Sequence, residues 1–229
     1  DWSHDMVAMY QARRDRAIED KAVAATLAFS AWMRDLIRDR RGKGGDNLLM
    51  ELIRAESEQG KLSEDELVTT AILMLNAGHE ATVHALGNGI KALIEQNARS
   101  QIGAGYVEEI MRFDAPLHMF TRYALEDLEW NGLKLKKGEV IGLLLGAANR
   151  DPAKFPLPDR FDPSRDNASQ NVSFGAGIHF CIGAPLARLE MEVALPILFE
   201  RFPNLQLAEP PQYRDAYHFH GLEKLRVGL

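Results

Sequence analysis

All ten prolines lie at or after Pro116. Proline lacks a backbone N–H and clashes with the preceding helical turn, so the stretch before it is free of the strongest helix breaker and the rest is punctuated by it. In the first stretch, Trp2 to Arg41 carries an apolar stripe (Val7, Ala8, Ala17, Val23, Leu27, Trp32, Leu36) that predicts one helix, ended by the loop RRGKGGDN at 40–47. Its arginine run, Arg13, Arg14 and Arg16, reads as a solvated face. A second helix is expected from about Leu48 to Glu58. Ser63 and Glu66 then stand at capping-box spacing before Val68, Ile72, Leu75, Val83, Leu86, Ile90 and Leu93, which keep helical steps and predict one helix over about 64–96.

A short helix ending near Arg112 leads into the proline-bearing part, where MFTRYA, LEWNGLKL and EVIGLLLG read as strands and Asn131-Gly132 as a hairpin turn. Pro152 to Pro163 holds four prolines and is a loop, and a last helix is expected from about Ala184 to Phe202. The fold class is therefore mainly α with a minor β-sheet, in two parts, 1–115 and 116–229, of one domain.

The chain is 46% hydrophobic over 229 residues, enough for a core of its own. Its net charge of −6 is spread along the sequence, so no basic face points to a nucleic acid. There is no apolar run long enough to span a bilayer and no leading segment of signal-peptide type, and a single cysteine makes no internal disulfide. A cytoplasmic setting without membrane attachment is the expectation.

That one cysteine, Cys181, stands in FGAGIHFCIG, residues 174–183, just before the last helix. A thiol serves as ligand or nucleophile in its thiolate form, which a helix N-terminus favours. Gly175, Gly177 and Gly183 let the backbone turn sharply and approach a flat ligand, while Phe174 can shield the sulfur. One thiolate cannot build a four-cysteine zinc or iron–sulfur site. Haem, a macrocycle that brings its own equatorial nitrogens, is the natural candidate. His79 and His84 miss the i, i+4 spacing of a two-histidine metal site.

The pattern Phe174-Gly175-x-Gly177-x-His179-x-Cys181-x-Gly183 resembles the cysteine-ligand signature of the cytochrome P-450 haem-thiolate monooxygenases. AGHEAT at 77–82, EEIMR with Glu109 and Arg112, Arg122 opening a strand, and FPLPDRF with Arg160 follow in that family's order. The resemblance implies the P-450 fold, of which this chain is similar to the C-terminal part, incomplete at its N-terminal side. It implies haem b held by Cys181 as the axial iron ligand, with His179 and Arg122 as propionate partners and Phe174, Gly175, Gly177, Gly183, Ala77 and Gly78 lining the cofactor. Glu109, Arg112 and Arg160 resemble a structural triad. Ala77 and Gly78 resemble the stretch facing the oxygen site, and Glu80 and Thr82 are the catalytic candidates.

Substrate contacts are expected from Leu75, Asn76 and Ala77, from Leu117 to Phe120 including His118, and from Tyr217 to Phe219, with His218 and His220 adding polarity. The implied reaction inserts one oxygen atom of O2 into a small, mostly apolar substrate. Electrons would come from NAD(P)H through a reductase and a ferredoxin that meets Arg188 and nearby basic residues. The chain departs from the family pattern at Ala81, where a threonine is usual, in its length, and in the short link between Gln96 and Glu109. These departures leave open an inactive haem-binding or structural fragment and a peroxide-driven peroxygenase; a zinc module is the remote alternative.

Overall fold

A computed structural model describes residues 2–10, 14–57, 60–216 and 218–229, so Arg13, Glu58 and Tyr217 lie outside the described residues. The chain divides into two compact units, Asp1–Glu80 and Ala81–Leu229. The change of texture near residue 115 is not where compactness divides the chain. The division falls inside one long helix, because that helix's second half shares a core with later elements.

In the first unit the expected single helix is interrupted. α1 (Trp2–Val7) and a 3-10 turn (Ala8–Tyr10) precede α2 (Arg16–Arg40), which starts afresh where Asp15 caps it by accepting a 2.9 Å bond from the Ile18 N–H. The buried face of α2 is Ala22, Ala25, Phe29, Met33 and Ile37, whereas Val23, Leu27 and Trp32 of the expected stripe are exposed. α2 has apolar residues on more than one face, and periodicity alone does not choose among them. Contact chooses: the Trp2 ring of α1 lies 5.2 Å from Phe29. Phe29, Met33 and Ile37 meet Met50 and Ile53 of α3 (Leu48–Ser57) and Leu67, Val68, Ala71 and Ile72 of α4 (Glu64–Glu95) in one core.

α4 begins with the reciprocal cap anticipated from Ser63 and Glu66. The Ser63 N–H donates to the Glu66 carboxylate at 2.8 Å, and the Glu66 N–H donates to the Ser63 hydroxyl at 3.3 Å. From Ala81 onward α4 belongs to the second unit. There Ala85, Ala92 and Leu93 pack with Val107, Ile110 and Met111 of α5 (Ala104–Phe113) and with Met191, Leu195 and Phe199 of α7 (Ala184–Arg201).

Among the described residues the strands form three separate two-stranded ladders rather than one sheet. β1 (Met119–Tyr123) pairs antiparallel with β4 (Val140–Leu144), and β2 (Leu128–Trp130) with β3 (Leu133–Leu135). The hairpin turn has Asn131 at φ 48° and Gly132 at φ 79°, the doubly positive turn that an Asn-Gly pair favours. β4 stops at Leu144 because Leu145 opens the short helix α6 (Leu145–Ala148). A last ladder joins β5 (Gln206–Leu207) to β6 (Val227–Gly228). Among the described residues, no helix is long and apolar enough to cross a membrane.

Candidate functional site

The loop before α7 places an exposed thiol at a helix start. Gly175 and Gly177 take φ of +72° and +65°, a region side chains rarely adopt, and these two residues turn the chain back on itself. The Cys181 N–H donates to the Phe174 carbonyl at 2.9 Å, which closes the loop, and the Ala184 N–H donates to the Cys181 carbonyl at 3.2 Å, which starts the helix. Cys181 is exposed and reduced. Its loop neighbours Ile178 and Ile182 are 97% and 87% exposed, an apolar setting around the thiol.

Phe174 is backed by a cation. The Arg188 guanidinium lies 4.5 Å from its ring centre, and Arg188 Nε donates to Glu108 Oε1 at 2.5 Å. Asn171 Nδ2 donates to the other Glu108 oxygen at 3.0 Å. Arg188 is therefore engaged with Glu108 and Phe174.

Behind the loop lies a fully buried ion pair. Arg112 Nε and Nη2 donate to the two Glu109 carboxylate oxygens at 2.7 and 2.8 Å, both side chains 0% exposed. Arg112 Nη1 also donates to the carbonyls of Asn149 and Pro158, each at 2.9 Å, and the Asp162 N–H donates to Glu109 Oε1 at 2.8 Å. The expected third member, Arg160, is not there. Its side chain is 68% exposed and nearest Asp162, and it gives the network only its carbonyl, 3.2 Å from Arg112 Nη2. Arg165 takes the place, with Nε 3.6 Å from Glu109 Oε2 and its side chain 9% exposed. The proline-rich loop turns between the two arginines, so sequence order could not tell them apart.

Asn149, buried and missed at the sequence level, links this pair to the cysteine loop. Its side chain donates to the Ser173 hydroxyl and accepts from the Val172 N–H, both at 2.8 Å. Ser173 Oγ donates to the Met111 carbonyl at 2.5 Å. Two hydrogen bonds thus join Arg112, through Asn149, to Ser173, the residue before Phe174. The signal available in sequence, an asparagine before Asp151-Pro152, looks like ordinary turn chemistry.

In the first unit α4 runs as unbroken α-helix through Ala77 and Gly78, both exposed, to Glu80, which is buried with His79 Nδ1 3.6 Å from its carboxylate. Leu75 is exposed, and Asn76 Nδ2 lies 3.6 Å from Met6 Sδ. In the second unit Thr82 is half-buried. Thr82 follows Gly78 by four residues and so shares its face, while Glu80 lies about 200° round the helix from Thr82. The two catalytic candidates point in nearly opposite directions.

On the substrate-side segments, Leu117 and Phe219 pair in an antiparallel bridge, and the Phe120 and His218 ring centres are 6.4 Å apart. His118 leaves that set. Successive strand residues face opposite sides, so His118 points away from Leu117, and its ring stacks on His220 at 3.7 Å. His84, expected beside a pocket or at a surface, is buried and has its ring 5.9 Å from Phe219.

The cofactor implied by the loop fits these residues. Among the described residues Cys181 joins no group of three metal-ligating side chains, so a metal bound there must arrive with its remaining ligands already supplied. A macrocycle satisfies that, and Cys181 Sγ is the group that could hold its metal. Among the described residues Arg122 Nη1 donates to the Thr121 carbonyl, at 2.9 Å, and His179 is exposed at the end of the turn Gly177–His179. Both have donors to offer a carboxylate.

Comparison with known proteins agrees. The Cytochrome P450 family model matches residues 104–220. The chain is 39% identical to the 6-deoxyerythronolide B hydroxylase of Saccharopolyspora erythraea and 38% identical to the polyketide biosynthesis cytochrome P450 PksS of Bacillus subtilis, in each case over all of this chain and 58% of the relative. It superposes on P450BioI, solved in complex with an acyl carrier protein, with a TM-score of 0.91 at 34% identity, over 99% of this chain and 60% of that one. The chain thus spans less than two thirds of the length of these relatives, and it belongs to the cytochrome P450 family.

Proposed function

We propose that this chain carries the haem-thiolate part of a monooxygenase that inserts one oxygen atom of O2 into an organic substrate. The observation that carries this reading is the exposed Cys181 thiol at the start of α7, in a loop closed onto the Phe174 carbonyl and flanked by exposed isoleucines. Haem b, when bound, supplies the activation of dioxygen. Cys181 would ligate its iron, Phe174 would cover the sulfur, and His179 and Arg122 would donate to its propionates. Gly175, Gly177 and Gly183 leave the loop without side chains where the ring lies. The Glu109–Arg112 pair holds the loop in place through Asn149 and does no chemistry itself.

Glu80 and Thr82 are the groups on α4 that can hold or pass a proton, in a stretch whose small residues Ala77 and Gly78 leave room for O2. Leu75, Asn76, Leu117 and Phe219 are the proposed substrate contacts, mostly apolar, while Phe120 falls by alternation on the side of His118. Electrons would come from NAD(P)H through a reductase and a ferredoxin-type donor, in the cytoplasm. Ala81 favours a second reading, peroxide-driven oxygenation, because a hydroxyl is lacking at that position for proton delivery.

The test is an absorption spectrum of the haem-loaded chain, reduced and exposed to carbon monoxide, beside Cys181→Ser. A strongly red-shifted Soret band that disappears in the variant is expected. Haem uptake with the same spectrum in both proteins would refute thiolate ligation.

A further inference from the structure

A second cluster lies outside the thiol site, beside a cleft of about 420 Å³ lined by Lys91, Asp114, His118, Gly146, Tyr213 and His220 among others. Its centre is a stack. The Tyr213 and His118 rings lie 4.0 and 3.7 Å from His220, at interplanar angles of 17° and 14°. Two rings cannot share one face of an imidazole at these separations, so His220 is sandwiched. The outer faces are closed too. Lys91 Nζ stands 5.4 Å from the Tyr213 ring centre, and a Cβ on Gly146 would sit 2.9 Å from His118 Cδ2, so only glycine lets that ring lie against α6. Asp114, buried at the end of α5, accepts from the Tyr213 hydroxyl, and its Oδ1 lies 3.1 Å from His220 Nε2. Asn88 Nδ2, on fully buried Asn88, donates to the carbonyls of both Asp114 and His220, at 3.2 and 2.8 Å.

Ligand atoms of Asp114, His118 and His220 lie within 4.8 Å of one another, the spacing of a metal site. The ring planes argue otherwise. Nitrogen lone pairs lie in the ring plane, and in two nearly parallel rings they run side by side instead of converging on one ion. The arrangement suits hydrogen bonds and ring contact.

What the stack holds is a ribbon. The His118 N–H donates to the His218 carbonyl at 3.0 Å and the His220 N–H to the Pro116 carbonyl at 2.8 Å, flanking the Leu117–Phe219 bridge. By alternation His118 and His220 face one side of this ribbon and Leu117 and Phe219 the other. We propose that Asp114, Tyr213, His220 and His118 form a polar clamp that sets the position of Leu117 and Phe219, and so acts as a positioning device for substrate selectivity. This rests on the monooxygenase reading for the word substrate, and on the ribbon alone for the clamp.

The experiment has one arm for each. In the haem-loaded chain, imidazole and econazole are titrated as small and bulky iron-binding probes. Tyr213→Phe and His220→Phe keep the rings and lose the bonds to Asp114, and Gly146→Ala presses on the stack from its other end. Each should weaken econazole about fivefold or more and leave imidazole unchanged. Equal effects on both probes, or none, would overturn the proposal. Independently of haem, amide exchange at His118 and His220 should quicken at least tenfold in Tyr213→Phe while the Asp114 amide, bonded to the Ile110 carbonyl at the end of α5, stays put. Uniform acceleration, or none, counts against the clamp. If no azole binds at all, the monooxygenase reading fails and the exchange result still decides. Tight zinc binding by Cys181→Ser that is lost in the further variant His118→Ala would show a metal site instead.

Discussion

Arg112 and Asp114 sit two residues apart at the end of α5 and anchor two different kinds of network. On the cysteine side a completely buried guanidinium directs its donors at one carboxylate and three backbone carbonyls. On the ribbon side a carboxylate accepts from a phenol and faces an imidazole nitrogen at 3.1 Å, in a half-buried stack of rings. The first suits a loop whose geometry has to stay fixed under a thiolate ligand. The second fixes one face of a ribbon whose other face carries the proposed substrate contacts Leu117 and Phe219.

The largest expected effect breaks the first network. Arg112→Leu leaves the Glu109 carboxylate buried without its main partner and should cost about 3–5 kcal/mol, measured as loss of the urea midpoint or of folded protein altogether. Replacing both members by apolar residues should cost less than replacing Arg112 alone, since what is expensive is the orphaned charge.

A smaller effect sharpens the composition of that network. Arg165→Ala removes a nearly buried guanidinium 3.6 Å from Glu109 and should destabilise by about 1–2 kcal/mol. Arg160→Ala, at an exposed side chain, should stay within about 0.5 kcal/mol. Equal losses from the two in thermal or urea unfolding would contradict the assignment of Arg165.

The smallest effect tests the ribbon side by pH. Burial first, and then the neighbouring charge of His220, bring His118 down from its ordinary 6.5 to about 4. Between these values the unfolded chain takes up a proton that the folded chain refuses. Stability from this residue is thus complete above pH 6.5 and falls as pH drops toward 4. Urea midpoints measured across that window should decline less steeply in His118→Gln. An unchanged slope would mean that His118 is not desolvated by the stack.

Much of this is readable from the amino-acid order. Hydrophobic steps and the Ser63–Glu66 cap mark α4, Asn131-Gly132 marks its hairpin, and the glycine spacing around Cys181 marks the thiol loop, because each signal acts within a few residues of the chain. The stripe read for α2 misses the buried face for a reason that is not local, since two of its faces are apolar and only contact with α1 selects one.

Neighbouring residues suffice to set the helices, the turn residues and the one thiol with its glycines, for these depend on backbone preferences resolved within a few positions. Long-range packing was needed to bring Arg165 rather than Arg160 up to Glu109, to tie Arg112 to the loop through Asn149, and to lay His220 between His118 and Tyr213. Those outcomes join residues 37 positions apart, as from Arg112 to Asn149, and 99 apart, as from Asp114 to Tyr213. A buried polar group must find its partner wherever folding brings one, and spacing along the chain carries no record of where that is.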